Sequence, residues 1–134
     1  MKPICLGNLA YPAGLAVTGD GQFIYVAETM MNRVLRFHQS PPGVYHASVF
    51  HQLSGGVGPS CLALDKNENL YIGQYDVREC SNEGTVYVLS NTGKLVSTIT
   101  TSGPEISGIA INGNKVYITE KSTGSILCTD CPNL

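Results

Sequence analysis

Three polar side chains recur at equal spacing along the 134-residue sequence and could do chemistry together. Glu28, Gln74 and Glu120 each follow a tyrosine by three residues, and the tyrosines stand 46 residues apart at positions 25, 71 and 117. Acidic and amide groups that converge on one channel could form a polar ring for binding or acid–base work. The alternative is structural, with Glu28 pairing with Arg33 to hold the corner between two strands. We favour the structural role, because catalysis needs a second placed group.

Short β-strands joined by tight turns are the elements that would position these side chains. A small apolar strand precedes each tyrosine segment, with an alanine at position 16, 63 or 110, and turn-forming residues separate the two. Glycine, asparagine and aspartate accept positive φ at low cost, so each unit is predicted to begin with a β-hairpin. A third strand follows in every unit, and a fourth follows in the first two. No window of twelve residues keeps helical periodicity, so the fold is predicted to be all-β.

A period of 46 residues with four antiparallel strands is typical of a β-propeller blade, whose first strand lines the central channel. A β-sandwich is the alternative, but it does not require three copies of one pattern. We therefore predict a half β-propeller of three four-stranded blades, which occupy residues 11–53, 58–101 and 104–129. An amino-terminal strand over residues 3–9 would complete the third blade.

Three blades leave two apolar sheet faces uncovered, because propellers close with about four to eight blades. We expect a homodimer that closes a six-bladed ring, with each amino-terminal strand exchanged onto the open third blade of the other chain. The alternative is that the sequence is half of a longer propeller.

Histidines and cysteines are the residues that most often hold transition metals. His38, His46 and His51 fall on the outer strands of the first blade, far from the channel, so we predict surface histidines rather than zinc ligands. Cys128 and Cys131 have the spacing of half a zinc site or a redox pair, but the sequence holds no second pair, so ordinary strand-end cysteines are favoured. No Gly-x-Ser-x-Gly elbow and no phosphate loop occur either.

Composition narrows the expected partners and location. The chain carries 8 Lys and Arg against 10 Asp and Glu, a net charge of −2, so no nucleic-acid partner is expected. No run reaches the roughly 18 apolar residues that a membrane-spanning helix needs, and no targeting signal is evident, so no membrane partner is expected. Five cysteines are too sparse for a disulfide scaffold, and no Asn-x-Ser/Thr sequon occurs, which favours the cytoplasm.

The first unit resembles the NHL-repeat pattern, which runs from Pro-x-Gly-Ile-Ala-Val through Tyr-Val-Ala-Asp to Asn-x-Arg-Ile. The matching residues are Pro12-Ala13-Gly14-Leu15-Ala16-Val17, Tyr25-Val26-Ala27-Glu28 and Asn32-Arg33-Val34. The unit is equally similar to the gluconolactonase and strictosidine-synthase-like six-bladed propellers, and the other two units match in their hairpins. The resemblance implies six blades and a ligand pocket at the channel mouth.

The resemblance also implies a metal, usually calcium, whose ligands this sequence does not match. In the lactonase branch an Asn and an Asp in turns at the channel mouth hold the ion, and Ala13 and Ser60 stand in their places here. Calcium takes six to eight oxygen ligands, and neither residue offers a carboxylate. In the strictosidine-synthase-like branch a glutamate serves the reaction where Ser107 stands. We therefore expect no metal, no cofactor and no inherited enzyme activity.

The leading hypothesis is a non-catalytic propeller that binds or scaffolds a protein or a small molecule, with no catalytic residue assigned. The alternative is a lactonase- or esterase-like hydrolase with an altered metal site. The candidate binding residues at the channel mouth are Glu28, Ser60, Gln74, Tyr75, Asp76, Ser107 and Glu120.

Overall fold

The computed structural model describes residues 1–5, 7–77 and 82–134, which form eleven β-strands and a short 3₁₀ helix at Thr29–Met31. The strands are β1 Pro12–Val17, β2 Phe23–Glu28, β3 Arg33–Gln39, β4 Tyr45–Gln52, β5 Gly58–Leu64, β6 Leu70–Tyr75, β7 Gly84–Leu89, β8 Leu95–Thr101, β9 Ile106–Asn112, β10 Lys115–Glu120 and β11 Ser125–Asp130. The all-β prediction is confirmed. Within the described ranges, no helix has the length and apolar character needed to cross a membrane.

The strands form three antiparallel sheets, one for each sequence repeat. Blade 1 has the order β1-β2-β3-β4, blade 2 has the order β5-β6-β7-β8, and blade 3 is a three-stranded sheet in the order β9-β10-β11. The first strands β1, β5 and β9 lie side by side. This fan of sheets around a common set of inner strands is the arrangement of a partial propeller, as predicted.

Left-handed backbone at equivalent turns makes the first hairpin of each blade. Gly21, Glu68 and Gly113 have φ values of 74°, 62° and 60°. In the first two turns a preceding aspartate also holds the loop, since Asp20 accepts a hydrogen bond from the Gln22 N–H at 3.0 Å and Asp65 binds backbone amides in the same way. Local turn chemistry therefore produces the hairpins that the sequence predicts.

Two apolar cores fill the spaces between neighbouring blades. Successive side chains of a strand point to opposite faces, so in β6 Leu70 and Ile72 pack toward blade 1 while Tyr71 packs toward blade 3. The core between blades 1 and 2 contains Tyr25, Ala27, Val34, Leu53, Leu62, Leu70, Ile72 and Leu89. The core between blades 2 and 3 contains Cys61, Tyr71, Val86, Val88, Ile106, Val116 and Ile118. These contacts hold the three inner strands together at the channel.

The amino-terminal segment forms no strand in the described residues 1–5 and 7–11. Leu9 packs instead on the outer face of blade 1, against Val26, Leu35 and Phe37. Among the described residues, blade 3 therefore has three strands, and the predicted strand over residues 3–9 does not pair with it. Its exchange onto another copy stays a prediction.

Candidate functional site

A β-bulge lies near the beginning of the first strand in every blade. The pairing of β1 with β2 skips Ala13, the pairing of β5 with β6 skips Ser60, and the pairing of β9 with β10 skips Ser107. These three residues are 47 positions apart and are repeat equivalents. A bulge reorients the side chain of its extra residue and is common beside functional sites.

The three bulged residues converge on one pocket at the mouth of the channel. The pocket has a volume of about 390 Å³, within the range of small-molecule sites. A second set of repeat equivalents also lines the pocket. Thr29 directly follows β2, Tyr75 ends β6 and Lys121 directly follows β10. The full lining is Tyr11, Ala13, Thr29, Met30, Val57, Ser60, Tyr75, Ser107 and Lys121. All three blades therefore contribute to this mouth pocket through equivalent positions.

Tyr75 links the mouth pocket to an acidic side chain behind it. The Tyr75 hydroxyl donates a hydrogen bond to Glu105 Oε1 at 2.8 Å, and a β-bridge between the two residues ties the end of β6 to the entry of blade 3. This hydrogen bond, helped by burial and the negative charge of Glu105, raises the pKa of the Tyr75 hydroxyl, while Lys121 opposes the shift. The phenol is therefore protonated at neutral pH.

Lys121 brings a positive charge to the mouth pocket. Lys121 lines the pocket, its charge opposes the rise in the pKa of the Tyr75 hydroxyl, and its backbone N–H donates to Glu105 O at 2.9 Å. Lys121 and the Tyr75–Glu105 hydrogen bond therefore lie at one side of the pocket. An ammonium has three donors, so Lys121 keeps donors for a ligand.

The two serines of the mouth pocket are held by hydrogen bonds to neighbouring strands. Ser60 Oγ donates to Ile106 O at 2.6 Å, which joins blade 2 to blade 3. Ser107 Oγ lies 3.0 Å from the hydroxyl oxygen of Thr119 in a hydrogen bond. These contacts fix both hydroxyl groups and leave their oxygens able to accept a further hydrogen bond.

Glu28 is absent from the lining of the mouth pocket and holds the entry of blade 1. Its carboxylate accepts a hydrogen bond from the Ala10 N–H at 2.9 Å and another from Arg33 Nε at 2.6 Å. Burial opposes ionisation, but these two partners outweigh it and lower the pKa of Glu28. This geometry matches the structural pairing of Glu28 with Arg33 that we favoured from the sequence.

Glu120 and Gln74 hold the entries of the other two blades in the same way. Glu120 accepts a hydrogen bond from the Glu105 N–H at 2.8 Å, and Gln74 donates to Gly55 O at 2.9 Å. Burial disfavours the Glu120 charge, yet hydrogen bonds from Ser122, Thr123 and Glu105 lower its pKa to about 2. Neither side chain belongs to the lining of the mouth pocket, and nor does Asp76.

The family model that describes the SMP-30/gluconolactonase/LRE-like region matches residues 3–122. The chain belongs to this family. Lactonase drp35 of Staphylococcus saprophyticus is 30% identical over 130 residues, which cover 94% of this chain and 38% of that protein. Lactonase drp35 of Staphylococcus epidermidis is 28% identical over 127 residues, which cover 92% of this chain and 37% of that protein. The chain therefore spans little more than a third of the length of these relatives.

Solved structures of the gluconolactonase-like family share this architecture. A gluconolactonase from Xanthomonas campestris superposes with a TM-score of 0.71 at 25% identity, covering 91% of this chain and 38% of that one. Regucalcin from Agrobacterium tumefaciens, a calcium-binding protein, superposes with a TM-score of 0.68 at 20% identity and shows the shared fold. The gluconolactonase-like resemblance seen in the sequence is confirmed.

These relatives overturn the leading functional hypothesis. The sequence led us to expect a non-catalytic binding module, because Ala13 and Ser60 replace the expected metal ligands. Relatives named lactonase and gluconolactonase support the alternative, a lactonase-type hydrolase. The hypothesis was wrong because it equated the loss of two metal ligands with the loss of enzyme activity, while the pocket keeps other polar groups.

The donors present at the mouth pocket of this gluconolactonase-like chain do not fit the calcium ion implied by the resemblance. Ala13 has no donor atom, and the Ser60 hydroxyl is neutral and already bonded to Ile106 O. Across residues 1–5, 7–77 and 82–134, no three or more His, Cys, Asp or Glu side chains are placed to hold a metal ion. Calcium needs six to eight oxygens with carboxylate charge, so no step below passes through a metal.

Proposed function

We propose that this chain is part of a lactonase-type hydrolase that opens a small cyclic ester in the mouth pocket. The single observation that carries the proposal is the placement of Lys121 in that pocket beside Tyr75, whose hydroxyl is hydrogen-bonded to Glu105. The named lactonase relatives supply the reaction class. The cytoplasmic location predicted from the cysteines is kept as part of the proposal.

Lys121 is the group we assign to the carbonyl oxygen of the ester. Negative charge develops on this oxygen when water attacks the carbonyl carbon, and a placed cation stabilises that charge most strongly where water is excluded. Lys121 lines the pocket together with Tyr75, and its charge acts on the Tyr75 hydroxyl.

Tyr75 and Glu105 also form a route for the proton of the attacking water. The Tyr75 oxygen takes this proton while the phenol proton passes to Glu105, 2.8 Å away. The oxygen of water bonds to the carbonyl carbon, and the ring C–O bond breaks. The same route returns the proton to the released ring oxygen, so one lactone and one water give one open-chain hydroxy acid.

The apolar part of the mouth pocket suits a small ring. Tyr11, Met30 and Val57 line the pocket alongside the polar groups. Side chains of this kind pack against a flat ring, while Ser60 and Ser107 have oxygens that accept hydrogen bonds from hydroxyl substituents. We therefore propose sugar δ-lactones and small unsubstituted lactones as the substrate class.

The proposal is tested by measuring the hydrolysis of glucono-δ-lactone and of δ-valerolactone, with the acid released recorded in a pH-stat. We expect turnover above the spontaneous rate that is unaffected by a chelator. Lys121→Met should lower kcat about 100-fold, the effect of removing one group that stabilises the oxyanion. Lys115→Met removes an exposed lysine at the other end of β10 and should leave kcat unchanged. Turnover abolished by the chelator, or equal loss in both variants, would contradict the proposed site.

A further inference from the structure

Tyr11 lines the mouth pocket from a backbone conformation that tyrosine rarely adopts. Its φ is 59°, in the left-handed region where a residue with a Cβ atom is strained. Of the nine residues that line this pocket, all within the described ranges, only Tyr11 has a positive φ. Backbone strain persists where the surrounding structure fixes it, and it is concentrated at functional sites.

Three hydrogen bonds fix the backbone at Tyr11. The Ala10 N–H donates to Glu28 Oε2 at 2.9 Å. On the other side of the corner, the Thr29 N–H donates to Tyr11 O at 3.1 Å, and the Met30 N–H donates to Ala10 O at 3.2 Å. Blade 1 therefore holds Tyr11 in its strained conformation through its own contacts, before any ligand binds.

The equivalent positions of the other two blades do not bring a side chain to the mouth pocket. Tyr11, Gly58 and Glu105 are 47 residues apart, and each precedes a bulged residue by two. A Cβ atom at Gly58 would overlap the Thr29 carbonyl oxygen. The Glu105 side chain binds the Tyr75 hydroxyl and is not part of the pocket lining. The aromatic ring at this position is therefore specific to blade 1.

Blade 1 also forms the apolar side of the mouth pocket. At the bulge it has Ala13, where blades 2 and 3 have Ser60 and Ser107, and it adds Tyr11 and Met30 to the lining. The phenol and ammonium groups of the site come from blades 2 and 3. A lactone whose ester group is turned toward those blades thus lies with its ring against blade 1.

We propose that Tyr11 determines specificity in the mouth pocket, because it packs on the face of a closed lactone ring and not on the open-chain product. The inference rests on the proposed hydrolysis for the nature of the substrate. A lactone is nearly flat around its ester group and can cover an aromatic ring, whereas the hydroxy acid is a flexible chain that loses conformational freedom in a flat shape. An aromatic wall that is fixed before binding costs little entropy on contact. Opening the ring therefore breaks this contact and favours release of the product.

Isothermal titration calorimetry with two probes tests the inference through binding alone. Glucono-δ-lactam is a closed ring that water does not readily open, and gluconate is an open-chain acid. Tyr11→Gly should lower the affinity for the lactam about 10-fold and the affinity for gluconate less than about twofold, because one aromatic contact with the ring is lost. Tyr11→Phe keeps the aromatic ring and should bind both probes as the wild type does.

Thermal unfolding separates this role from a structural one. Glycine adopts a positive φ without strain, so Tyr11→Gly should melt at the wild-type temperature or above it while it binds the lactam less tightly. Glu68→Gly is the matched control. Glu68 has a φ of 62° in the turn between β5 and β6, outside the lining of the mouth pocket, so this variant should keep both affinities.

Unchanged lactam affinity in Tyr11→Gly, or an equal loss of affinity for the two probes, would overturn the inference. A wild-type chain that binds neither probe would overturn it as well. Lactone hydrolysis by a wild type whose lactam affinity does not depend on Tyr11 would overturn this inference and leave the proposed function in place. Lactam binding that depends on Tyr11, in a chain that hydrolyses no lactone, would instead contradict the proposed function and leave the role of Tyr11 in ring recognition in place.

Discussion

The Glu120 carboxylate accepts a hydrogen bond from the backbone N–H of Glu105 at 2.8 Å. Glu105 is also the residue whose side chain binds the Tyr75 hydroxyl. The buried acid at the end of β10 therefore sets the position of the backbone from which the Glu105 side chain reaches Tyr75. Glu28 holds the Ala10 N–H at the entry of blade 1 in the same manner.

Glu120 should make stability depend on acid pH. Its pKa falls from the ordinary value of 4.5 to about 2 in the folded chain, since hydrogen bonds to the carboxylate outweigh the opposing effect of burial. A depressed pKa stabilises the fold above pH 4.5, and this contribution is lost as pH falls from 4.5 to about 2. Glu120→Gln should lower the melting temperature at pH 7 and flatten its dependence on pH in that window. Asp130→Asn, an exposed acid in the same blade, is the control, and an unchanged acid profile in Glu120→Gln would contradict this role.

The Glu28–Arg33 pair should contribute to stability rather than to ligand binding. Glu28 is 1% exposed, so Glu28→Ala leaves the Ala10 N–H and the Arg33 guanidinium without their acceptor. We expect a loss of about 2 kcal/mol in the free energy of unfolding. Urea denaturation of Glu28→Ala, Arg33→Ala and the double variant measures the coupling, which should be about 1 kcal/mol. A variant that keeps its stability but loses lactone hydrolysis would place Glu28 in the site instead.

Tyr75→Phe should impair lactone hydrolysis more than it impairs folding. The variant keeps the ring and loses the hydroxyl that donates to Glu105. We expect kcat to fall about 100-fold while the free energy of unfolding drops by only about 1 kcal/mol. Tyr45→Phe on β4, outside the pocket lining, is the matched control. The raised pKa also predicts that Tyr75 ionises above the ordinary tyrosine value of 10, which the difference in alkaline absorbance between wild type and Tyr75→Phe measures.

Gly14→Ala should destabilise the contact between the inner strands β1 and β5. A Cβ atom at position 14 would lie 2.9 Å from the Cα of Cys61, a backbone atom of the neighbouring blade. The two blades must separate to admit it, at a cost of about 2 kcal/mol in the free energy of unfolding. Gly19→Ala is the control, because a Cβ there meets nothing within 4 Å. Equal denaturation midpoints for the two variants would show that the inner strands tolerate the wider spacing.

The sequence predicted seven binding residues at the channel mouth, and the structure separates them. Ser60, Tyr75 and Ser107 line the mouth pocket, while Glu28, Gln74, Asp76 and Glu120 lie outside its lining. Lys121 was missed, although it stands 46 residues after Tyr75 and the repeat itself could have indicated it.

Local interactions explain what the sequence determined by itself. Turn residues with low-cost positive φ and alternating apolar residues specify hairpins and blade-like sheets from neighbours along the chain, so the repeat and the all-β fold could be read directly. The tertiary structure alone decided which of two adjacent side chains faces the channel mouth. Successive side chains of a strand point to opposite faces, so alternation alone predicts a face for each residue. A bulge shifts this alternation by one residue. The bulges at Ala13, Ser60 and Ser107 form only when neighbouring strands pair, so the sequence alone does not reveal them.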